Sequence, residues 1–188
     1  MNQPYLIALG ASSGGLTALY DFFDYTMPDG VSYVITTHLF PHQKSILSDL
    51  IQKHSRIEVC LVETETPIQI NKVYVMPENK IMLLKGDRLI LEARDHSIQV
   101  NWAIDLFFIF LSKDIIFNKI AVILSGMGKD GTKGIHLLAE NGAYIIAQAP
   151  DSARERSMPE SVIEGGYADE VLTPAEMPGA INDYISRF

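Results

Sequence analysis

The sequence predicts an α/β fold: a doubly wound, mostly parallel sheet with helices on both faces, Rossmann-like, in a single domain. Continuous apolar runs such as Tyr5-Leu6-Ile7-Ala8-Leu9 and Ile120-Ala121-Val122-Ile123-Leu124 have the character of strands buried on both faces. Small-residue turns follow these runs, and after the first turn apolar residues return at helical spacing as Leu16, Leu19, Tyr20 and Phe23. Strand and helix signals then alternate along the chain, the pattern of a parallel sheet covered on both faces.

The elements follow in order. Gly10 closes the first strand, and Gly10-Ala11-Ser12-Ser13-Gly14-Gly15 forms the turn into the first helix. Met27-Pro28-Asp29-Gly30 punctuates before the β-rich Tyr33-Val34-Ile35-Thr36-Thr37, which His38 follows directly. A helix is expected from about Gln43 to Lys53 and a short strand over Glu58 to Val62. Residues 73–92 break the alternation, because Lys85-Gly86-Asp87-Arg88 between two apolar runs signals an antiparallel hairpin excursion. Asn101 to Ile115 reads as a helix with Asn101 as N-cap, and Trp102, Phe107, Phe108 and Phe110 on it read as core. After the strand at 120–124 come a helix from Thr132 to Glu140, a strand from Ala143 to Ala147, and a short helix opened by Met158-Pro159. A brief strand at Val171-Leu172 and a terminal helix over Pro174 to Ser186 complete the pattern.

Composition narrows the function. The chain has 188 residues, suited to one domain spanning 1–188, and 15 basic against 23 acidic residues give a net charge of −8. That balance excludes a global positive field for nucleic acid. No apolar run approaches the ~18 residues of a membrane span. The start, Met1-Asn2-Gln3-Pro4, is unlike a secretion signal, and Cys60 is the single cysteine, so a cytoplasmic location is expected. Cys60 itself reads as a small core residue.

In open parallel sheets, ligand sites lie beyond the carboxyl ends of the strands. Three such ends carry unusual chemistry here: Ser12-Ser13, His38 and Asp130. Ester hydrolysis at neutral pH needs an activated nucleophile, a base, a carboxylate to hold the imidazolium, and donors for the developing oxyanion. Gly10-Ala11-Ser12-Ser13-Gly14 matches G-x-S-x-G, where small neighbours let a serine sit on a sharp strand-to-helix turn. The same loop also reads as a plain tight turn or a phosphate cradle. The glycines at 10, 14 and 15 do not form G-x-G-x-x-G, and His38 stands where a ribose-binding acid would be expected. His38 and His42 have a zinc-like i, i+4 spacing, but Pro41 intervenes and other ligands are scattered, so no metal and no cofactor are expected. Asp130 also reads as a turn or N-cap aspartate. Asp151, Arg154 and Arg156 belong to a loop that either borders the cleft or is simply solvated.

Three blocks then stand out together: Ala8-Leu9-Gly10-Ala11-Ser12-Ser13-Gly14-Gly15, Thr36-Thr37-His38-Leu39, and Ile123-Leu124-Ser125-Gly126-Met127-Gly128-Lys129-Asp130-Gly131. With Val73-Tyr74-Val75-Met76-Pro77, Ala147-Gln148 and Ser157-Met158-Pro159, they resemble the catalytic domain of the CheB-type chemotaxis protein-glutamate methylesterases over nearly the whole chain. The resemblance implies Ser12 as nucleophile, His38 as general base and Asp130 as orienting carboxylate, with backbone N–H groups at Ser13 and Met127 serving the oxyanion. It implies hydrolysis of glutamyl methyl esters on chemoreceptors, and in some members deamidation of receptor glutamines. The substrate partner is then a methylated chemoreceptor or similar signalling protein, with no nucleic acid and no membrane insertion. The segment Ile98 to Asp105 departs from the family's arginine- and proline-rich stretch, although Asp105 matches. The chain more closely resembles esterase domains of methylesterase/methyltransferase hybrid signalling proteins, with no receiver domain within these residues and a methyltransferase or fused signalling domain as partner. The alternative from another class is a docking module that keeps the fold without turnover.

Overall fold

The computed structural model describes residues 3–38, 46–95, 97 and 101–187. In chain order the elements are β1 (Tyr5–Ala11), α1 (Gly15–Asp24), β2 (Ser32–Thr37), α2 (Ile46–Gln52), β3 (Glu58–Leu61), β4 (Thr66–Pro67), β5 (Lys72–Val75), β6 (Lys80–Lys85), β7 (Arg88–Ala93), α3 (Ala103–Ser112), β8 (Asn118–Ile123), α4 (Thr132–Glu140), β9 (Tyr144–Gln148), α5 (Ser157–Glu164), β10 (Glu170–Leu172) and α6 (Met177–Ile185). Seven strands form the main sheet in the order β10-β9-β8-β1-β2-β5-β3, and every pairing in it is parallel. A small antiparallel sheet, β4-β7-β6, packs beside it.

The period-2 geometry of a strand sends alternate side chains to opposite faces. In β1, Leu6 and Ala8 join a core with α3, α4, α5 and the small sheet, while Ile7, Leu9 and Ala11 join a core with α1, α2 and α6. Strands apolar on both faces therefore force a three-layer sandwich, as the uninterrupted runs require. Gly10 lies inside β1 rather than ending it, since pairing continues to Ala11, and its missing side chain makes room for α3: a Cβ there would come within 2.6 Å of Ile104 Cγ2.

Two expectations shift. The antiparallel part is not residues 73–92: β5 is a buried strand of the main sheet, paired with β2 and β3, and Val73, Tyr74 and Val75 are all buried. The excursion instead comprises the β6–β7 hairpin with the two-residue β4. The third helix is shorter than 101–115, and Trp102, expected in the core, is 45 % exposed just before its first turn. Phe107 and Phe108 are fully buried as anticipated, and Cys60 is half-buried on β3.

The sheet order fixes where a site can form. From β1 the chain crosses to β2 on one side, and from β8 to β9 on the other. The connections after β1 and β8 lead to helices on opposite faces of the sheet, the switch-point topology at which open α/β sheets bind ligands.

Candidate active site

Ser12, His38 and Asp130 follow the carboxyl ends of three adjacent strands, β1, β2 and β8. Ala11 and Thr37 are the last register partners of β1 and β2, so Ser12 and His38 leave the sheet side by side. The strands β8, β1 and β2 are neighbours at the ~4.8 Å spacing of a sheet, so the three strand ends are adjacent.

The serine loop is built by backbone bonds. Ser12 N–H donates to Ser125 O at 3.0 Å, and Gly15 N–H donates back to Ser12 O at 2.8 Å. Gly14 takes φ +74°, a left-handed conformation that turns the strand sharply into α1. Across the crevice, a Cβ at Gly126 would fall 2.1 Å from Met158 Sδ and 2.9 Å from Ser12 Cβ, so the glycine is what lets the β8 loop close against the serine. The stem of Arg154 packs over Gly14, so that loop does border the cleft, whereas Arg156 is engaged by Asp151 and Glu160.

His38 is partly exposed, and its Nε2 lies 2.7 Å from Oδ2 of the buried Asp130. The approach is close but bent, since Nε2 has no aligned hydrogen-bond acceptor among the described residues. With Nε2 turned to the carboxylate, Nδ1 is the ring nitrogen left to work on another group. Asp130 is fixed independently. Its Oδ1 accepts from Asp105 N–H at 2.8 Å and its Oδ2 from Ile104 N–H at 3.1 Å, both in the first turn of α3. A helix N-terminus offers unsatisfied donors and a partial positive charge, a favourable seat for an anion. Asp130 is thus a helix-capping aspartate as well as the partner of His38.

Around these residues, N–H groups fall into two sets. Those of Ser12, Gly15, Gly126 and Gly128 are used inside the protein. Those of Ser13, Gly14 and Met127 have no partner among the described residues, and of these Ser13 and Met127 are exposed. His42 lies outside the described residues.

Three residues here carried no assigned role in the sequence reading. Ser125, fully buried, donates from Oγ to Ser13 O at 2.8 Å and accepts Glu155 N–H at 2.9 Å. Its own N–H donates to Oε1 of buried Gln148 at 2.7 Å, and Gln148 Nε2 reaches Ser152 O. Together they tie the loops after β1, β8 and β9. The third is Asp105, whose Oδ1 accepts Gly134 N–H at 2.8 Å in the first turn of α4. Burial pushes the Asp105 carboxyl above its usual range; N–H groups of α4 oppose this, and Asp130 adds to it. A polar residue at the end of a buried apolar run is the signal that points to Ser125 and Gln148, since such a group needs a partner.

Residues 7–181 match the family model described as CheB methylesterase. The chain belongs to the CheB methylesterase family. The crystal structure of the Thermotoga maritima CheB methylesterase catalytic domain superposes with a TM-score of 0.89 at 28 % identity, covering 97 % of this chain and 100 % of that one. A protein-glutamate methylesterase/protein-glutamine glutaminase of Bacillus licheniformis is 32 % identical over 97 % of this chain and 53 % of its own length. An uncharacterized 104.1 kDa protein of Rhodobacter capsulatus is 33 % identical over 75 % of this chain but only 15 % of its own length. The chain spans about half the length of the curated methylesterases it matches. Among the described residues no helix is long and apolar enough to cross a membrane.

Proposed function

We propose that this domain is a serine hydrolase that removes methyl groups from glutamyl methyl esters of a chemoreceptor-type signalling protein in the cytoplasm. The observation that carries the reading is the 2.7 Å approach of His38 to a buried, helix-capped Asp130, on strand ends that flank the Ser12 loop. Ser12 Oγ attacks the ester carbonyl while His38 takes its proton through Nδ1. Asp130 stabilises the imidazolium that forms. The uncommitted N–H groups of Ser13 and Met127 receive the developing oxyanion. Collapse of the tetrahedral species breaks the acyl–methoxy bond, His38 returns the proton, and methanol leaves a glutamyl ester on Ser12. Water, deprotonated by the same histidine, then releases glutamate and regenerates the serine. A glutamine side chain entering the same acyl transfer would release ammonia, which fits the double name borne by the relatives. A methyltransferase or other signalling domain, as in the hybrid proteins, is the proposed partner.

Methanol release from a polypeptide bearing γ-methyl glutamate tests the reading. Ser12→Ala and His38→Ala are each expected to lower turnover at least ~10³-fold, because such residues act as a unit, whereas Ser13→Ala, which keeps the backbone N–H, should do far less. Equal losses at Ser12 and Ser13, or no methanol from the unmodified domain, would contradict it.

A further inference from the structure

Among the described residues, two exposed large apolar side chains belong to the segments that carry or cap Asp130: Trp102, 45 % exposed before α3, and Met127, 63 % exposed on the β8–α4 loop. From Trp102 a groove of about 730 Å³ runs between α3 and α4, with Leu106 and Ile109 on one wall and Tyr167 at its end. Lys129 and Lys133 stand on its rim, and neither has an ion pair among the described residues. Among the described residues the one acid lining the groove, Asp105, is turned to Gly134 N–H, and the nearby Glu140 is engaged with His136, which stacks on Tyr167. An apolar channel edged by two unpaired cations, in a chain of net charge −8, is complementary to a ligand that is apolar on one face and acidic beside it.

We infer that the α3–α4 groove seats an acid-flanked amphipathic helix of the ester-bearing substrate, the lysines meeting carboxylates on either side of its apolar stripe. This rests on the methylesterase reading and adds where the polypeptide lies. A groove between two helices takes a third helix through anchors at i, i+3 or i+4, and i+7. At 1.5 Å per residue, α3 with its 10 residues spans ~15 Å, room for two to three turns of a bound helix. Two lining residues adjoin Asp130, Asp105 through its N–H and Lys129 along the chain, so a helix lying in the groove would begin next to the proposed catalytic residues.

The probe is a synthetic helical peptide of about twenty residues with leucines at those anchor spacings, one central γ-methyl glutamate and flanking glutamates. A second peptide has flanking glutamines, and N-acetyl glutamate γ-methyl ester serves as a small substrate. Lys133→Glu should raise KM for the glutamate peptide about 5–10-fold with kcat within twofold, and change KM for the glutamine peptide less than twofold. Trp102→Ala should raise KM for both peptides. Thermal midpoints establish that both variants are folded. Methanol from all three substrates with KM unmoved by either variant would overturn the groove proposal while leaving the esterase reading intact. No methanol from any of the three by the unmodified domain would instead sink the esterase reading. A concentration-dependent dimer in sedimentation, broken by Trp102→Ala with KM unchanged, would assign the groove to a second copy and overturn the proposal.

Discussion

Asp130 and Asp105 occupy mirror positions. Both are almost fully buried, at 5 % and 6 % exposure. Asp130, on the loop entering α4, accepts N–H groups from the first turn of α3, and Asp105, on α3, accepts an N–H from the first turn of α4. Each carboxylate therefore caps the helix that the other begins or belongs to, and the pair locks α3 against α4. The difference is one side chain: Asp130 meets His38, and Asp105 meets no cation among the described residues. Two acids share a burial and a capping role, yet only one is wired to a strand end beside a serine. A buried carboxylate is therefore ambiguous between structure and chemistry until its second contact is known.

The largest stability effect expected comes from prying the two caps apart. A Cβ at Gly134 would sit 2.3 Å from Phe108 Cβ and 3.0 Å from Asp105 O. Gly134→Ala should cost about 1–3 kcal/mol in denaturant unfolding although alanine favours helix, because α4 cannot approach α3 as closely. A neutral or stabilising result would mean that the close crossing does not hold the two acids.

Ser125→Ala is expected to cost about 1–2 kcal/mol, since it removes the buried hydroxyl shared by the part-buried Glu155 N–H and Ser13 O. It should also lower turnover several-fold by loosening the Ser12 loop. A stability loss with turnover intact would confine Ser125 to structure.

The smallest effect separates Asp105 by its sign. Its carboxyl is raised chiefly by burial, so ionisation is less favourable in the folded chain than in the unfolded one. The stability it contributes is complete below the unfolded pKa and is lost as pH rises through the higher folded one. Asp105→Asn, whose amide oxygen can still accept Gly134 N–H, should equal or exceed the unmodified chain in thermal midpoint at pH 7. That margin should narrow as pH falls toward 4. A margin that grows toward acid pH would reverse the assignment.

The main sheet and the strand-end placement of Ser12, His38 and Asp130 are legible because buried parallel strands are written as apolar runs, whereas the roles proposed for the three come from the family resemblance. The sequence pattern groups Val73 to Val75 with the hairpin, while the structure pairs them with β2 and β3, because apolar content marks burial, not strand direction. Trp102 was misplaced for a related reason: helical spacing locates a face, but not whether another element covers it. Asp105 was noticed only as a family match, since a reciprocal cap depends on α3 meeting α4 in space, and nothing local to residues 101–105 encodes that.

On the proposed mechanism Asp130, unlike Asp105, acts through His38 on Ser12. The most direct test is methanol release from a γ-methyl glutamate polypeptide by Asp130→Asn and Asp105→Asn side by side at pH 7. Asparagine can keep a capping oxygen in both places and removes the carboxylate charge from both. Turnover should fall roughly 10²–10⁴-fold in Asp130→Asn, which misdirects and fails to stabilise the imidazole, and stay within about threefold in Asp105→Asn. Equal losses in the two variants, or a larger loss at Asp105, would contradict the account.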